Sequence, residues 1–483
     1  MASHEVIIIG AGFGGLGAAI RLHQLGVDDV LLLEKDKDVG GTWLQNTYPG
    51  CACDVSTELY SYSFALNPDW SRKYAPQPEI QAYLKACAQR FGVFEKVKLS
   101  AEVARVEWDD AAKRWRVTLK SGESHDARFV ISAIGGLSRL ALPKVEGLAS
   151  FTGAQFHSQK WDHGYQLAGK RVAVIGTGAS AIQIVPELAK RVGKLLVFQR
   201  TPPWIVPRGD GPVPGWQRWL YRNVPGVQRL VRWSQYWFSE LKALGFLHPS
   251  LGGVGQWLAR RHLARQVPAG PLREALTPRY AMGCKRVLIS DDYYPAFSQP
   301  NVQLVPKAVT RLEGNEVIDA SGERHAVDCL VLATGFNVID PMGPLEVVGR
   351  DGRTLKQAWA NGLSSNLGTM VSGFPNLFIL SGPNTGIGHT SMVFMIECQL
   401  RYAMAAIRAA RQGQWKTVEV RTESERELNE QIARRSKETV WMKGECRSWY
   451  LDEHGRNGVI WPDYTFKFWW RTRRFEPKHH LSS

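Results

Sequence analysis

Residues 6–34, VIIIGAGFGGLGAAIRLHQLGVDDVLLLE, decide the fold. Residues 4–9 form an apolar β-strand, and Gly10-Ala11-Gly12-Phe13-Gly14-Gly15 form a turn. Residues 16–25 carry apolar side chains at helical spacing, and 30–33 form a second strand that ends in Glu34. Each glycine has its own duty. Gly10 allows the tight turn, Gly12 lets the backbone approach a pyrophosphate, and Gly15 lets helix and strand pack closely. The helix N-terminus points free N–H groups at the phosphates, and Glu34 accepts hydrogen bonds from ribose hydroxyls. A lone G-x-G-x-x-G carries little weight. With a strand before it and an acid after it, the stretch reads as a dinucleotide site.

Residues 170–200 repeat this unit. A strand at 171–175 leads into Gly176-Thr177-Gly178-Ala179-Ser180-Ala181, a helix at 182–191 and a strand at 195–198. Glu34 lies 24 residues after Gly10, and Arg200 lies 24 residues after Gly176. An acid there repels a 2′-phosphate, whereas an arginine grips one bidentately, and Thr201 adds a hydroxyl at the same edge. The first site is therefore expected to hold a dinucleotide with a free ribose, and the second NADPH. Two such sites resemble the two-dinucleotide-binding flavoproteins, in which the first holds FAD. The expected fold is α/β: two Rossmann-like domains with a helical insertion. The boundaries are 1–145 for the first part of the FAD domain and 146–338 for the NADP domain, with the insertion at about 204–280. Residues 339–483 return to the FAD domain and add a substrate-side segment.

Two further stretches carry the chemistry. FTGAQFHSQKWD at 151–162 places Phe151, Gly153, His157, Trp161 and Asp162 in the pattern F-x-G-x-x-x-H-x-x-x-W-P/D. Gly40-Gly41-Thr42-Trp43, Tyr48-Pro49-Gly50 and Asp54 form a second pattern. Both match the type I Baeyer–Villiger monooxygenases, and the chain resembles that family nearly throughout, except at 204–280. The GPNTGIGH loop at 382–389 and Cys446–Tyr450 look closest to the branch of 4-hydroxyacetophenone monooxygenase, which hints at aryl or bulky ketones.

The resemblance implies an NADPH-dependent flavoenzyme that turns ketones into esters or lactones through a C4a-peroxyflavin, and that can also oxidise sulfides. Gly41, Thr42, Trp43, Tyr48 and Asp54 would run beside the flavin, and Lys285 would bind the 2′-phosphate. Arg286 would reach the flavin–nicotinamide junction with Asp54 orienting it. His157 and Trp161 would act at the domain hinge, not as general acid and base. Residues 381–389, including Asn384, feed a helix N-terminus suited to the charge of a reduced flavin ring. For His389, capping of loop backbone is favoured over proton donation. The nearest rival is an N- or S-hydroxylating flavin monooxygenase, which lacks the Trp161-Asp162 extension. A flavin-dependent reductase is disfavoured, because Cys51-x-Cys53 is spaced too closely for a redox pair. A flavin-bearing binding protein without turnover is a third reading, which intact Arg286, Asp54 and Arg200 oppose.

Composition narrows the partners. At 44% apolar residues the chain can bury large cores, and it has no apolar run long enough to span a bilayer. The glycine-broken start reads as strand and helix rather than a leader peptide. Between 201 and 290, thirteen Lys/Arg stand against Asp210, Glu240 and Glu274, so +10 of the +15 net charge arises there. No nucleic-acid-binding module accompanies it, and no metal-ligand constellation is present. The tryptophans of the insertion are expected to pack inward over the active site, in preference to touching a membrane. Seven scattered cysteines suggest no disulfide framework and a cytoplasmic protein. The expected partners are O2 and a small hydrophobic ketone, in a monomer or homodimer.

Overall fold

The computed structural model describes residues 2–338, 342–444, 446, 448 and 450–483. Strand β1 (Ala2–Ile9) is central in the larger sheet, because Val6 to Ile9 are apolar on both faces and buried, as parallel strands covered on both sides are. It leads through the glycine turn into helix α1 (Phe13–Gln24) and then β2 (Val30–Leu33), which pairs parallel with β1. β3 (Val97–Lys98) extends that side. The chain turns back through β4 (Val103–Asp109), β5 (Arg114–Leu119) and β6 (Ser124–Ser132). β4, β5 and β6 pair antiparallel in sequence, and β6 runs parallel to β1. The alternating pattern at 98–120 predicts a small antiparallel sheet. These strands instead join the large one, because β6 is long enough to pair with β5 at 124–127 and with another strand at 130–132.

The second sheet contains β7 (Ala154–His157), β8 (Arg171–Ile175), β9 (Lys194–Phe198), β10 (Val302–Val305) and β11 (Cys329–Leu332). Its order is β10-β9-β8-β11-β7, and every pair is parallel. Helix α2 (Ala181–Ala189) follows β8 as α1 follows β1. The chain then returns to the first sheet: β12 (Glu346–Val348) pairs with β4 and β13 (Leu377–Ile379) with β6. The boundary drawn at 338–339 runs into residues 339–341, outside the described residues.

The insertion is helical, as expected: α3 (Gly215–Asn223), α4 (Val227–Leu247) and α5 (Gly253–Gln266). Its tryptophans are not where the sequence reading put them. Trp204 is buried, donating to the Tyr280 carbonyl at 2.9 Å. Trp216, Trp219, Trp233, Trp237 and Trp257 are exposed. The reason lies on the inner face of α4, which meets polar ground. Arg232 donates to the Ser61 carbonyl at 3.0 Å and lies 3.5 Å from Glu397, while Glu240 accepts from the Thr465 N–H at 3.1 Å.

After β13 come α6 (Met392–Gln412) and α7 (Thr465–Thr472). Gly17 lets α1 and α6 touch, since a Cβ there would lie 2.9 Å from Leu400. Cys284 and Cys446, 162 residues apart, form a disulfide. This corrects the expectation drawn from scattered, odd-numbered cysteines, which cannot show which pairs the fold brings together. Five other cysteines are free and buried. Among the described residues no helix is long and apolar enough to cross a membrane.

Candidate functional site

Both glycine turns have the shape their sequences require. A Cβ on Gly15 would lie 1.7 Å from the Gly10 carbonyl oxygen, and Gly10 itself has φ +99°. Gly12 faces Gly41: a Cβ on Gly41, at φ +54°, would come within 3.0 Å of the Gly12 Cα. Glu34 is buried and accepts the Ala11 N–H at 2.6 Å and the Asp36 N–H at 2.9 Å, which fixes its carboxylate below the turn. Burial raises the Glu34 carboxyl above its ordinary range. The Phe13 ring packs edge-on to Tyr60 and Tyr62, so only its backbone faces the turn's concavity. Next to it, Gly14 lies tight against Ala133 and Leu380.

The second turn is more open. Gly176 is pressed on the Ala333 carbonyl, where a Cβ would lie at 2.3 Å, but around Gly178 there is clear space and Ala179 is exposed. Thr177 donates to the Thr201 carbonyl at 3.1 Å, tying the turn to the end of β9. Arg200, exposed just beyond β9, lies near Lys285. Burial first, and the Arg200 charge second, push the Lys285 ammonium below its ordinary range. Two cations thus stand together beside the second turn and one carboxylate beside the first. This donor set fits a phosphorylated and an unphosphorylated ribose respectively.

The loop after Gly41 connects the two turns. Thr42 opens the short helix Thr42–Gln45, whose buried Trp43 donates to the Tyr60 hydroxyl at 3.0 Å. Tyr48 donates to Gln183 Oε1 at 2.9 Å and also bonds Ser180. Gln183 further donates to the Ala52 carbonyl at 3.0 Å, and a Cβ on Gly50 (φ +81°) would lie 2.7 Å from the Gln183 carbonyl. Gln183 is therefore the clasp between first-turn loop and second-turn helix, a role the sequence reading missed. Cys51 and Cys53 are free and buried; burial pushes the Cys51 thiol up to about 12.

At the end of this loop Asp54 meets Arg286. Both Nε and Nη2 of Arg286 donate to Asp54 Oδ2, at 2.9 and 2.5 Å. The Asp54 charge raises the Arg286 pKa, so its charge is permanent. Tyr450 touches the same guanidinium, and burial pushes its hydroxyl up to about 12. Behind it Cys284, Val440, Trp441 and Ile460 form a small apolar cluster with Tyr450. The sequence assigns Tyr450 no role here beyond its place in the 446–450 stretch. Its neighbours Arg447 and Trp449 lie outside the described residues.

The 151–162 stretch is structural in its contacts. A Cβ on Gly153 would lie 2.7 Å from the Phe151 ring and 2.8 Å from the Asp328 carbonyl, which explains the F-x-G pair. His157 accepts the Gln159 N–H on Nδ1 at 3.1 Å, so Nε2–H donates to the Gly335 carbonyl at 3.2 Å. Burial lowers its pKa and keeps the ring neutral. Trp161 is buried edge-on to Phe156. Asn384 donates to the Asn457 and Ile460 carbonyls, binding the C-terminal segment to the 381–389 loop. His389 does not cap backbone as expected. Its buried ring lies 3.6 Å from Glu240 of α4, and neither nitrogen has a hydrogen bond.

A flavin-binding monooxygenase-like family model matches residues 3–224. A Baeyer–Villiger monooxygenase of Pseudomonas aeruginosa is 45% identical over 99% of this chain and 92% of its own. An oxidised steroid monooxygenase bound to NADP superposes with TM-score 0.88, at 30% identity over 100% of this chain and 99% of that one. A structure of OTEMO with FAD and NADP gives 0.89, at 26% identity over 99% of both.

Proposed function

Since the chain belongs to the Baeyer–Villiger monooxygenases, we propose that Arg286, gripped by Asp54, is the cation beside which its oxygen insertion takes place. The enzyme uses FAD, NADPH and O2 to convert a ketone into an ester or lactone. When bound, FAD reduced by NADPH supplies the activated oxygen. Residues 1–145 with 339–483 bind FAD, and 146–338 bind NADPH.

The turn Gly10, Gly12, Phe13, Gly14 and Gly15 would hold the FAD diphosphate, with the Gly10 N–H itself spent on the Leu33 carbonyl at 2.8 Å, and Glu34 would take the ribose hydroxyls. Gly41, Thr42, Trp43 and Tyr48 flank the flavin end, and Asn384 shapes the glycine loop opposite. Gly176, Gly178, Ala179 and Ser180 would hold the NADPH diphosphate, and Arg200, Thr201 and Lys285 would take its 2′-phosphate.

The carrying observation is the double hydrogen bond from Arg286 to one oxygen of Asp54. It sets the guanidinium plane and holds the cation where negative charge would develop during oxygen transfer. Tyr450 and its apolar neighbours exclude water from that side. They also favour a hydrophobic ketone, with sulfides of similar size as secondary substrates. His157, bonded to the Gly335 carbonyl, and Trp161, packed on Phe156, act at the domain hinge rather than moving protons.

The test is Arg286→Ala. It is expected to retain FAD and to be reduced by NADPH, while losing ester or lactone and releasing hydrogen peroxide instead. Wild-type product per NADPH from this variant removes Arg286 from the reaction.

A further inference from the structure

Over 228–241 helix α4 is inside out, while its last turns bury Ala243 and Leu247 in an apolar cluster. Its polar residues Gln228, Arg232, Ser239 and Glu240 face the protein. Leu230, Trp233, Trp237, Phe238 and Leu241 face solvent, with Trp233 60% and Leu241 61% exposed. They recur at i, i+3, i+7, i+8 and i+11, one continuous face of a helix. The face does not stop at α4. The Trp237 ring lies tilted against Phe466 of α7, with centroids 5.9 Å apart, and on α5 the exposed Val254, Trp257 and Leu258 repeat the pattern. A single exposed apolar side chain needs no explanation, but a face of this extent marks a contact surface.

The charge around it says what the contact is. Between 215 and 266 the exposed charged residues include Arg229, Lys242, Arg261 and Arg265, and the only acid, Glu240, is buried. Arg261 lies over the Trp257 ring at 5.2 Å, and Lys242 over Phe238 at 4.6 Å, so cations and aromatics are interleaved. Pairing with a second copy through a two-fold axis would bring the same cations face to face. An anionic lipid surface takes both halves of the pattern: tryptophan and leucine enter the headgroup–acyl boundary, and arginine and lysine meet the phosphates. We propose that the outward face of α3, α4 and α5, continued by Phe466, docks the enzyme on an anionic phospholipid membrane, lying on it without crossing it. The reading is independent of the reaction, since none of these residues faces Arg286.

The test uses the FAD-loaded enzyme with vesicles of phosphatidylcholine, alone or mixed about three to one with phosphatidylglycerol, read by co-sedimentation. Binding to the mixed vesicles is expected, weakening as salt rises. Trp233→Ser/Trp237→Ser should reduce it by about tenfold or more, while its FAD absorbance and NADPH oxidation in vesicle-free buffer stay at wild-type level. Arg229→Glu/Lys242→Glu should lose binding to the mixed vesicles in particular. No binding by the wild type, or equal binding to both vesicles, overturns the proposal. So does a concentration-dependent dimer that the tryptophan variant abolishes, which would assign the face to self-association.

Discussion

Replacing Asp54 by asparagine tests the centre of the site with little change in shape. Two donors of Arg286 converge on one carboxylate oxygen at 2.9 and 2.5 Å, and the side chains are 34% and 29% exposed. A hydrogen bond to a charged group contributes about 1.5–3 kcal/mol. Exposure of about one third screens part of that, and an amide oxygen still accepts one bond, so the loss in holding Arg286 is ~2 kcal/mol. At about 1.4 kcal/mol per decade, the oxygenation rate should fall ~30-fold. The assay separates the half-reactions. Anaerobic reduction of the bound flavin by NADPH should change by less than about threefold, while kcat for ketone oxygenation carries the loss. Asp54→Glu should recover part of it. An oxygenation rate within about twofold of wild type, at full FAD content, would refute the idea that Asp54 sets Arg286.

Arg200→Ala should raise KM for NADPH by roughly 10- to 100-fold and leave that for NADH nearly unchanged, measured by flavin reduction with each nucleotide. Gly153→Ala, with its new methyl against Phe151 and Asp328, should destabilise by ~2 kcal/mol in urea titration. His480 is buried and accepts from Tyr402 at 2.6 Å while donating to the Glu476 carbonyl at 2.8 Å, and burial lowers it from 6.5 to about 4. Its neutral form therefore contributes stability present above pH 6.5 and lost as pH falls toward about 4, worth ~3 kcal/mol in all. Unfolding titrations across that window should show His480→Asn as the flatter curve.

The parts of this molecule legible in the sequence are those whose geometry is local. Gly10, Gly12 and Gly15 encode a turn by spacing alone, and Glu34 and Arg200 state a preference at fixed offsets from it. The clasp at Gln183 was not legible, because a glutamine on a helix has no pattern until Tyr48 and Ala52 are folded against it. Tyr450 and the Cys284–Cys446 bond have the same difficulty, with partners more than 160 residues away. The insertion failed differently. Its period marks an apolar face, but period cannot say which side is in. The informative signal was the opposite face, where Arg232 and Glu240 need buried partners that only the fold supplies, Glu397 and Thr465.

Gln183 has a mechanical consequence. It belongs to the helix of the second nucleotide turn, yet it holds the loop that begins beside the first turn and ends at Asp54. Asp54 holds Arg286, whose chain neighbour Lys285 sits by Arg200, back at the second turn. The contacts close a ring. A ring cannot be displaced at one point without load appearing at the others, so a pull on Arg200 or Lys285 is shared by the Asp54–Arg286 pair. Arg286 is thereby yoked to the second turn, and a loop of ordinary appearance becomes the linkage between them.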